Sequence, residues 1–267
     1  MNKPQNKYGD WALVAGAAKG LGEAFCVTLA NQGIHIIMVD SQKEALFELS
    51  KTLKERYSIE TIPLLIDLSK PDATDQIVEN TKHLDCRLLI YNAAYSRIKK
   101  FTQHRTEDLN QYLSVNIGTQ LKLVHAFSNR LIDKKQSGGI LLMSSLAGLL
   151  GMQLIAPYAA SKAFAWNLAE ALSHELKPNQ IDVTACIAGA TATEAYLITK
   201  PKAAFFKPQV QQPEEVAKSA LKNLGKKALY ISGLGNRINY FILTRLMPRK
   251  LAARMANRTM RKMYPEP

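Results

Sequence analysis

Short, almost unbroken apolar runs alternate along the chain with longer stretches whose apolar residues recur at helical spacing. The runs at residues 11–15, 35–39, 61–66, 87–91, 139–143, 181–187 and 227–231 predict strands. The stretches at 21–32, 43–57, 73–81, 106–134, 157–176 and 213–224 predict helices. Pro213 suits the first turn of the last of these, where its missing N–H is no loss, and Glu214 and Glu215 suit the positive end of the helix dipole. Strand–helix alternation of this kind predicts βαβ units, and strands apolar on both faces predict helices above and below them. The expected fold class is therefore α/β, a doubly wound parallel sheet flanked by helices on both faces.

Composition adds a bound and one asymmetry. At 267 residues, 47% hydrophobic and 21% charged, the chain has ordinary globular composition with material for a sizeable core. The net charge is +13, and it is unevenly spread. Residues 216–265 hold 12 Lys or Arg and no Asp or Glu, leaving 23 basic against 21 acidic residues over 1–215. The basic end suggests an anionic surface as partner. Cys26, Cys86 and Cys186 are odd in number, widely spaced and set among apolar neighbours, which predicts buried free thiols in a reducing compartment. The five histidines lack metal-ligand spacing, so no metal is expected. The first ten residues are polar, unlike a signal peptide, and no run of about 18 apolar residues occurs. A cytoplasmic location is the expectation.

Three clusters carry candidate chemistry. Gly16, Ala17, Ala18, Lys19, Gly20, Leu21 and Gly22 form a GxxxGxG loop between the first strand and the first helix. Glycines permit a tight turn and close backbone approach, and the helix N-terminus offers free N–H groups to a pyrophosphate. Asp40 ends the second strand, 18 residues past Gly22. A carboxylate there accepts bonds from ribose hydroxyls and repels a 2′-phosphate, which favours NAD; Lys19 in the loop argues for NADP. The expected cofactor is NAD, with NADP left open. Tyr158 and Lys162 share a helix face at i, i+4, and Ser145 precedes Tyr158 by 13 residues at a strand end. A neighbouring ammonium lowers a phenol's pKa, and a serine hydroxyl polarises a carbonyl.

Taken in order, GxxxGxG at 16–22, Asp67, Asn92-Ala93-Ala94, Asn116, Ser144-Ser145, Tyr158-x-x-x-Lys162 and Gly189 resemble the short-chain dehydrogenase/reductase family over roughly residues 8–235. The resemblance implies a Rossmann-type domain and an NAD(P)-dependent oxidoreductase of alcohols and carbonyls. It implies Tyr158 as general acid and base and Lys162 as the group that lowers its pKa and holds the nicotinamide ribose. Ser145 would orient the substrate oxygen, and Asn116 would bend its helix and keep a water in the proton relay. Asp67 and Leu68 would meet the adenine, Asn92, Ala93 and Ala94 would line the adenosine side, and Thr191 and Thr193 after Gly189 would touch carboxamide or phosphates. It also implies a homodimer or homotetramer through the two long helices. The chain departs from the family at Ala15, where Thr is usual, at Tyr91-Asn92-Ala93-Ala94, where Asn-Asn-Ala-Gly is usual, and at Ala188, where Pro is usual.

Around the catalytic candidates, Leu146, Leu149, Leu150, Met152, Leu154 and Ile155, with Tyr196, Leu197, Phe205 and Phe206, predict an apolar, lipid-like carbonyl or alcohol as substrate. Residues 236–267 are set apart from the domain at 1–235 as a basic helical extension. Residues 238–247 form one apolar helix ended by Pro248. Residues 249–263 form a second, with Leu251, Met255 and Met263 on one side and Arg254, Arg258 and Arg261 on another. That pattern predicts peripheral contact with an anionic membrane surface. Nucleic acid is not expected, since no set of stacking aromatics accompanies the charges. The rival reading is a catalytically idle dinucleotide-binding sensor or scaffold; an intact Asn116, Ser145, Tyr158, Lys162 set speaks against it.

Overall fold

The computed structural model describes residues 7–202 and 209–265. Seven strands form one sheet in which every pairing is parallel: β1 (Trp11–Ala15), β2 (His35–Asp40), β3 (Thr61–Leu65), β4 (Cys86–Tyr91), β5 (Gly138–Ser145), β6 (Ile181–Ala188) and β7 (Leu229–Ile231). Their order across the sheet is β3-β2-β1-β4-β5-β6-β7. The order reverses between β1 and β4, and open α/β sheets bind ligands in the crevice at such a point.

The helices are α1 (Gly20–Ala30), α2 (Lys43–Tyr57), α3 (Ala73–Thr81), α4 (Thr106–Gln111), α5 (Thr119–Asp133), α6 (Ala156–Glu175), α7 (Glu194–Leu197), α8 (Pro213–Asn223), α9 (Leu234–Phe241) and α10 (Arg249–Met263). Alternate residues of each strand point to opposite faces, so the sheet has two cores. On one face Val14, Met38 and Ile90 meet Phe25 of α1, Leu46 of α2 and Val216 of α8. On the other Leu13, Ile37 and Leu89 meet Ile77 of α3 and Leu123, Phe127 and Leu131 of α5. Cys26, Cys86 and Cys186 are buried and free. No described helix is long and apolar enough to cross a membrane.

Two expected helices differ from a plain α-helix. The stretch at 106–134 continues from α4 into α5 through a wide π-helical segment, Tyr112–Gly118. There the Tyr91 hydroxyl donates to the Val115 carbonyl at 2.6 Å. Such wide turns cluster at functional sites and have no periodicity signature. In the extension, α9 starts at Leu234, earlier than the apolar run, because Gly233 turns the chain at φ 83°. It then widens into a second π-helical segment, Ile242–Leu246.

The extension is folded onto the body. Asn236 is buried and donates to the Gln211 side chain and the Ser232 carbonyl at 2.9 and 2.8 Å. From α10, the Asn257 carboxamide accepts from the Gln153 N–H at 2.7 Å and donates to the Gly151 carbonyl at 2.9 Å.

Candidate active site

The carboxyl ends of the strands open into one cleft of about 1570 Å³ that runs from the β1–α1 loop to the extension. At its first end, the glycines of the loop are needed by the local backbone. Gly16 has φ 78°, and a Cβ there would lie 2.6 Å from the Ala93 backbone. A Cβ on Gly22 would lie 1.8 Å from the Gly16 carbonyl oxygen. Without those Cβ atoms, the segment after β4 and the start of α1 can approach the loop closely. Asn92 completes the junction: its side chain donates to the Gly16 carbonyl at 2.8 Å and its N–H to the Ala15 carbonyl at 2.9 Å. No side chain caps the N-terminus of α1. Its first N–H groups therefore remain available to an anion.

Asp40 faces the same loop. Its carboxylate accepts from the Ala18 N–H at 3.0 Å and from the Gln42 N–H at 3.1 Å. Lys19 is ion-paired with Glu194 of α7 at 2.9 Å, and that partner raises the lysine's pKa. Asp67 accepts from the Ser69 N–H at 2.9 Å, and Leu68 is buried with its carbonyl held by Thr119. Asp67, Leu68, Asn92, Ala93 and Ala94 all line the cleft. So do Gly189, Thr191 and Thr193, on the loop after β6. Thr193 also caps α7 by accepting the Tyr196 N–H. An uncapped helix start, a backbone cradle without Cβ atoms and a strand-end carboxylate together fit a dinucleotide; Gly16, Gly20, Gly22, Asp40 and Asn92 would hold it.

In the middle of the cleft, β5 and α6 bring Ser145, Tyr158 and Lys162 together. Lys162 is buried, and its ammonium donates to the Met143 carbonyl at 2.7 Å. The Ser144 hydroxyl donates to the Lys162 carbonyl at 2.7 Å, a second tie between the same elements. Ser145 ends the strand and its hydroxyl accepts the Ala147 N–H at 3.2 Å. The Lys162 ammonium lies 5.6 Å from the centre of the Tyr158 ring. Burial pushes the Tyr158 phenol up, and a hydrogen bond with Ser145 pulls it part of the way back. Burial draws Lys162 down to about 8. The ammonium is bonded to Met143, and burial governs the phenol's acidity.

Asn116 sits in the π-helical segment and is buried. Its carboxamide accepts the Tyr95 N–H at 2.7 Å and donates to the Tyr95 carbonyl at 2.9 Å and the Ser161 hydroxyl at 2.9 Å. Ser161 in turn donates to the Tyr158 carbonyl at 2.8 Å. Asn116 therefore joins the segment after β4 to the first turn of α6. Tyr95 and Ser161 were not singled out from the sequence. Ser161 lies inside the Tyr158–Lys162 interval, so the motif's own spacing held the one available hint.

The far end of the cleft is apolar. Leu146, Leu149, Leu150, Met152, Ile155 and Tyr196 line it as expected. Leu154 and Leu197 do not; Leu197 is 57% exposed. Phe205 and Phe206 lie outside the described residues. The sequence reading missed the roof. Leu243, Met247, Met255, Met260 and Met263 of the extension complete the apolar wall. This corrects the picture of 249–263 as a helix whose apolar side is free for lipid. Met255 and Met263 face the cleft, whereas Leu251 is 47% exposed on the outside.

A family model described as short chain dehydrogenase matches residues 10–203. A 7beta-hydroxysteroid dehydrogenase of Clostridium sardiniense is 34% identical over 233 residues, 87% of this chain and 89% of that protein. A very-long-chain 3-oxoacyl-CoA reductase of Homo sapiens is 26% identical over 243 residues, 90% of this chain and 73% of that protein. Among solved structures, one of a 7beta-hydroxysteroid dehydrogenase superposes with a TM-score of 0.86 at 28% identity, covering 94% of this chain and 97% of that one. A short-chain dehydrogenase from Sphingobium yanoikuyae in complex with NADPH has the same fold, with a TM-score of 0.76 at 23% identity over 88% and 93% of the two chains.

Proposed function

The chain belongs to the short-chain dehydrogenase family, NAD(P)-dependent oxidoreductases, and from that premise we propose that it moves hydride between the nicotinamide and a secondary alcohol or ketone on an apolar, lipid-like molecule. The observation that carries the reading is the meeting of Ser145, Tyr158 and Lys162 in one cleft, between an uncapped helix start and an apolar wall. The relatives act on a hydroxysteroid or a 3-oxoacyl-CoA by their names, both of which present an oxygen on an apolar body.

When bound, the nicotinamide supplies or takes the hydride. In the reducing direction the Tyr158 hydroxyl gives its proton to the substrate oxygen, and in the oxidising direction the phenolate takes it back. Ser145 donates a hydrogen bond to that same oxygen and fixes its place. Below its pKa of about 8, Lys162 carries the charge that favours the phenolate. Asn116 positions rather than reacts, through Ser161 and the Tyr158 carbonyl. The apolar side chains of α10, Met255, Met260 and Met263, line the substrate half of the cleft.

Asp40 at the end of β2 supports a preference for NAD. Lys19, the cation that argued for NADP, is ion-paired with Glu194 on the surface of the loop. Leu113 and Leu121, exposed on the segment running into α5, support a homodimer or homotetramer through the long helices. A second reading concerns the outside of the extension. Leu234, Ile238, Phe241, Leu246 and Leu251 are exposed among its basic residues, and this face suits an anionic bilayer. Sedimentation with anionic vesicles, weakened by Phe241→Asp, checks it. The main reading is tested by following NADH and NADPH consumption with a panel of apolar ketones. Turnover is expected; absence of both turnover and cofactor binding would overturn it.

A further inference from the structure

Among the described residues, one exposed cation at the cleft, Arg97, has no carboxylate in ion-pair contact. Among the described residues, three cations line the cleft: Lys19, Lys162 and Arg97. Lys19 is paired with Glu194, and Lys162 is bonded to Met143 at the reaction centre. Arg97 has no carboxylate within ion-pair distance among the described residues. Among the described residues, the acids lining the cleft are Asp40 and Asp67, on the β1–α1 loop side of the cleft, and Glu194, which is paired with Lys19.

Arg97 is also held in place. Its Nε donates to the Tyr95 hydroxyl at 3.2 Å, and its guanidinium carbon lies 5.4 Å from the centre of the Tyr95 ring. Tyr95 is fixed in turn at three points: its N–H and carbonyl are bonded to Asn116, and its hydroxyl donates to Asp108 at 2.5 Å. The Asp108 carboxylate is ion-paired with the Lys99 ammonium at 3.0 Å, and on Arg97 it acts only at longer range. The segment lies on the substrate side, because the Lys99 N–H donates to the carbonyl of Leu154, next to Ile155 in the apolar wall. The Arg97 N–H is likewise held, by the Tyr112 hydroxyl at 2.8 Å.

A guanidinium anchored through Nε keeps its two terminal nitrogens free to bind a planar anion in a fixed orientation. We infer that the substrate, besides its apolar body and its oxygen at Tyr158, carries an anionic group of the carboxylate kind, and that Arg97 receives it. This deepens the reading of the cleft as a substrate site and rests on it. The net charge of +13 draws such a molecule toward the protein before contact.

The test is a calorimetric titration of the full chain with decanoate and with uncharged decanamide, both below their micelle concentrations. It is repeated on Arg97→Gln and Arg97→Lys. The wild type is expected to bind decanoate about tenfold more tightly than decanamide. Arg97→Gln is expected to erase that preference and leave decanamide unchanged, with Arg97→Lys between. Equal binding of the two ligands, no binding of either up to about millimolar, or a preference that survives Arg97→Gln overturns the inference. NADH affinity, followed by cofactor fluorescence, is expected to be the same in Arg97→Gln. A loss there assigns Arg97 to the cofactor and also overturns it. These readouts need no turnover. A lost carboxylate preference with intact ketone reduction refutes only the anion site; a retained preference with no reduction refutes only the oxidoreductase reading.

Discussion

The ammonium of Lys162 donates to the carbonyl oxygen of Met143 at 2.7 Å, inside a buried junction between α6 and the end of β5. One neutral carbonyl does not offset the burial of a full charge, and the lysine's pKa falls to about 8. Between pH 8 and the lysine's ordinary 10.5, the unfolded chain holds a proton that the folded chain has released. Stability from this group therefore rises as pH climbs through that window, and its cost is fully present below it. Relative to Lys162→Met, the wild type is expected to gain up to about 3 kcal/mol between those limits. Denaturant unfolding of both proteins across the window checks this. A difference that stays flat speaks against a buried charge lacking an acid partner.

Asn116 links Tyr95 to Ser161, so Asn116→Ala leaves the Tyr95 N–H and carbonyl without their partners. A loss of about 1–3 kcal/mol is expected for buried groups left unbonded. Ser161→Ala removes only the branch toward Tyr158 and is expected to lower kcat more than stability. Equal effects of both variants on stability and on kcat would contradict the division of labour.

Asp40 accepts the Ala18 N–H as well as standing where a ribose would lie. Asp40→Ala is expected to weaken both cofactors and to narrow the preference for NADH over NADPH by about tenfold. Fluorescence titration of the two cofactors measures it. A general loss of affinity at an unchanged ratio leaves Asp40 a loop-bracing residue alone.

Asn257 fastens the roof to the 151–153 loop through its side chain and also accepts the Gln153 amide on its carbonyl at 2.6 Å. Asn257→Ala is expected to raise KM for an apolar ketone severalfold and to leave KM for NADH unchanged. Should both KM values move together, the roof is part of the general fold rather than of the substrate half.

Much of this was readable in the residues, for particular reasons. The strands are apolar on both faces, so their positions, and with them the doubly wound sheet, stood out against the helical periods. The Gly16–Gly22 loop and the Tyr158–Lys162 pair were visible because each lies within one local segment. What escaped depends on distant chain meeting distant chain. Lys162 bonded to Met143, Asn116 bonded to Tyr95 and Lys19 paired with Glu194 are 19, 21 and 175 residues apart. The extension misled for a different reason. Its amphipathic period was real, but periodicity shows that a helix has an apolar face without showing what covers it. Here the cover is the cleft itself, through Met255, Met260 and Met263.

The most direct test of the central claim is Tyr158→Phe, assayed for ketone reduction and for NADH binding side by side. The substitution removes one hydroxyl and keeps the ring beside Lys162. The expected result is a loss of kcat of about 10²–10⁴-fold, the range for a positioned proton donor, with NADH affinity within about twofold of wild type, well under 1 kcal/mol. Turnover that survives the substitution would contradict the assignment of the proton transfer to Tyr158.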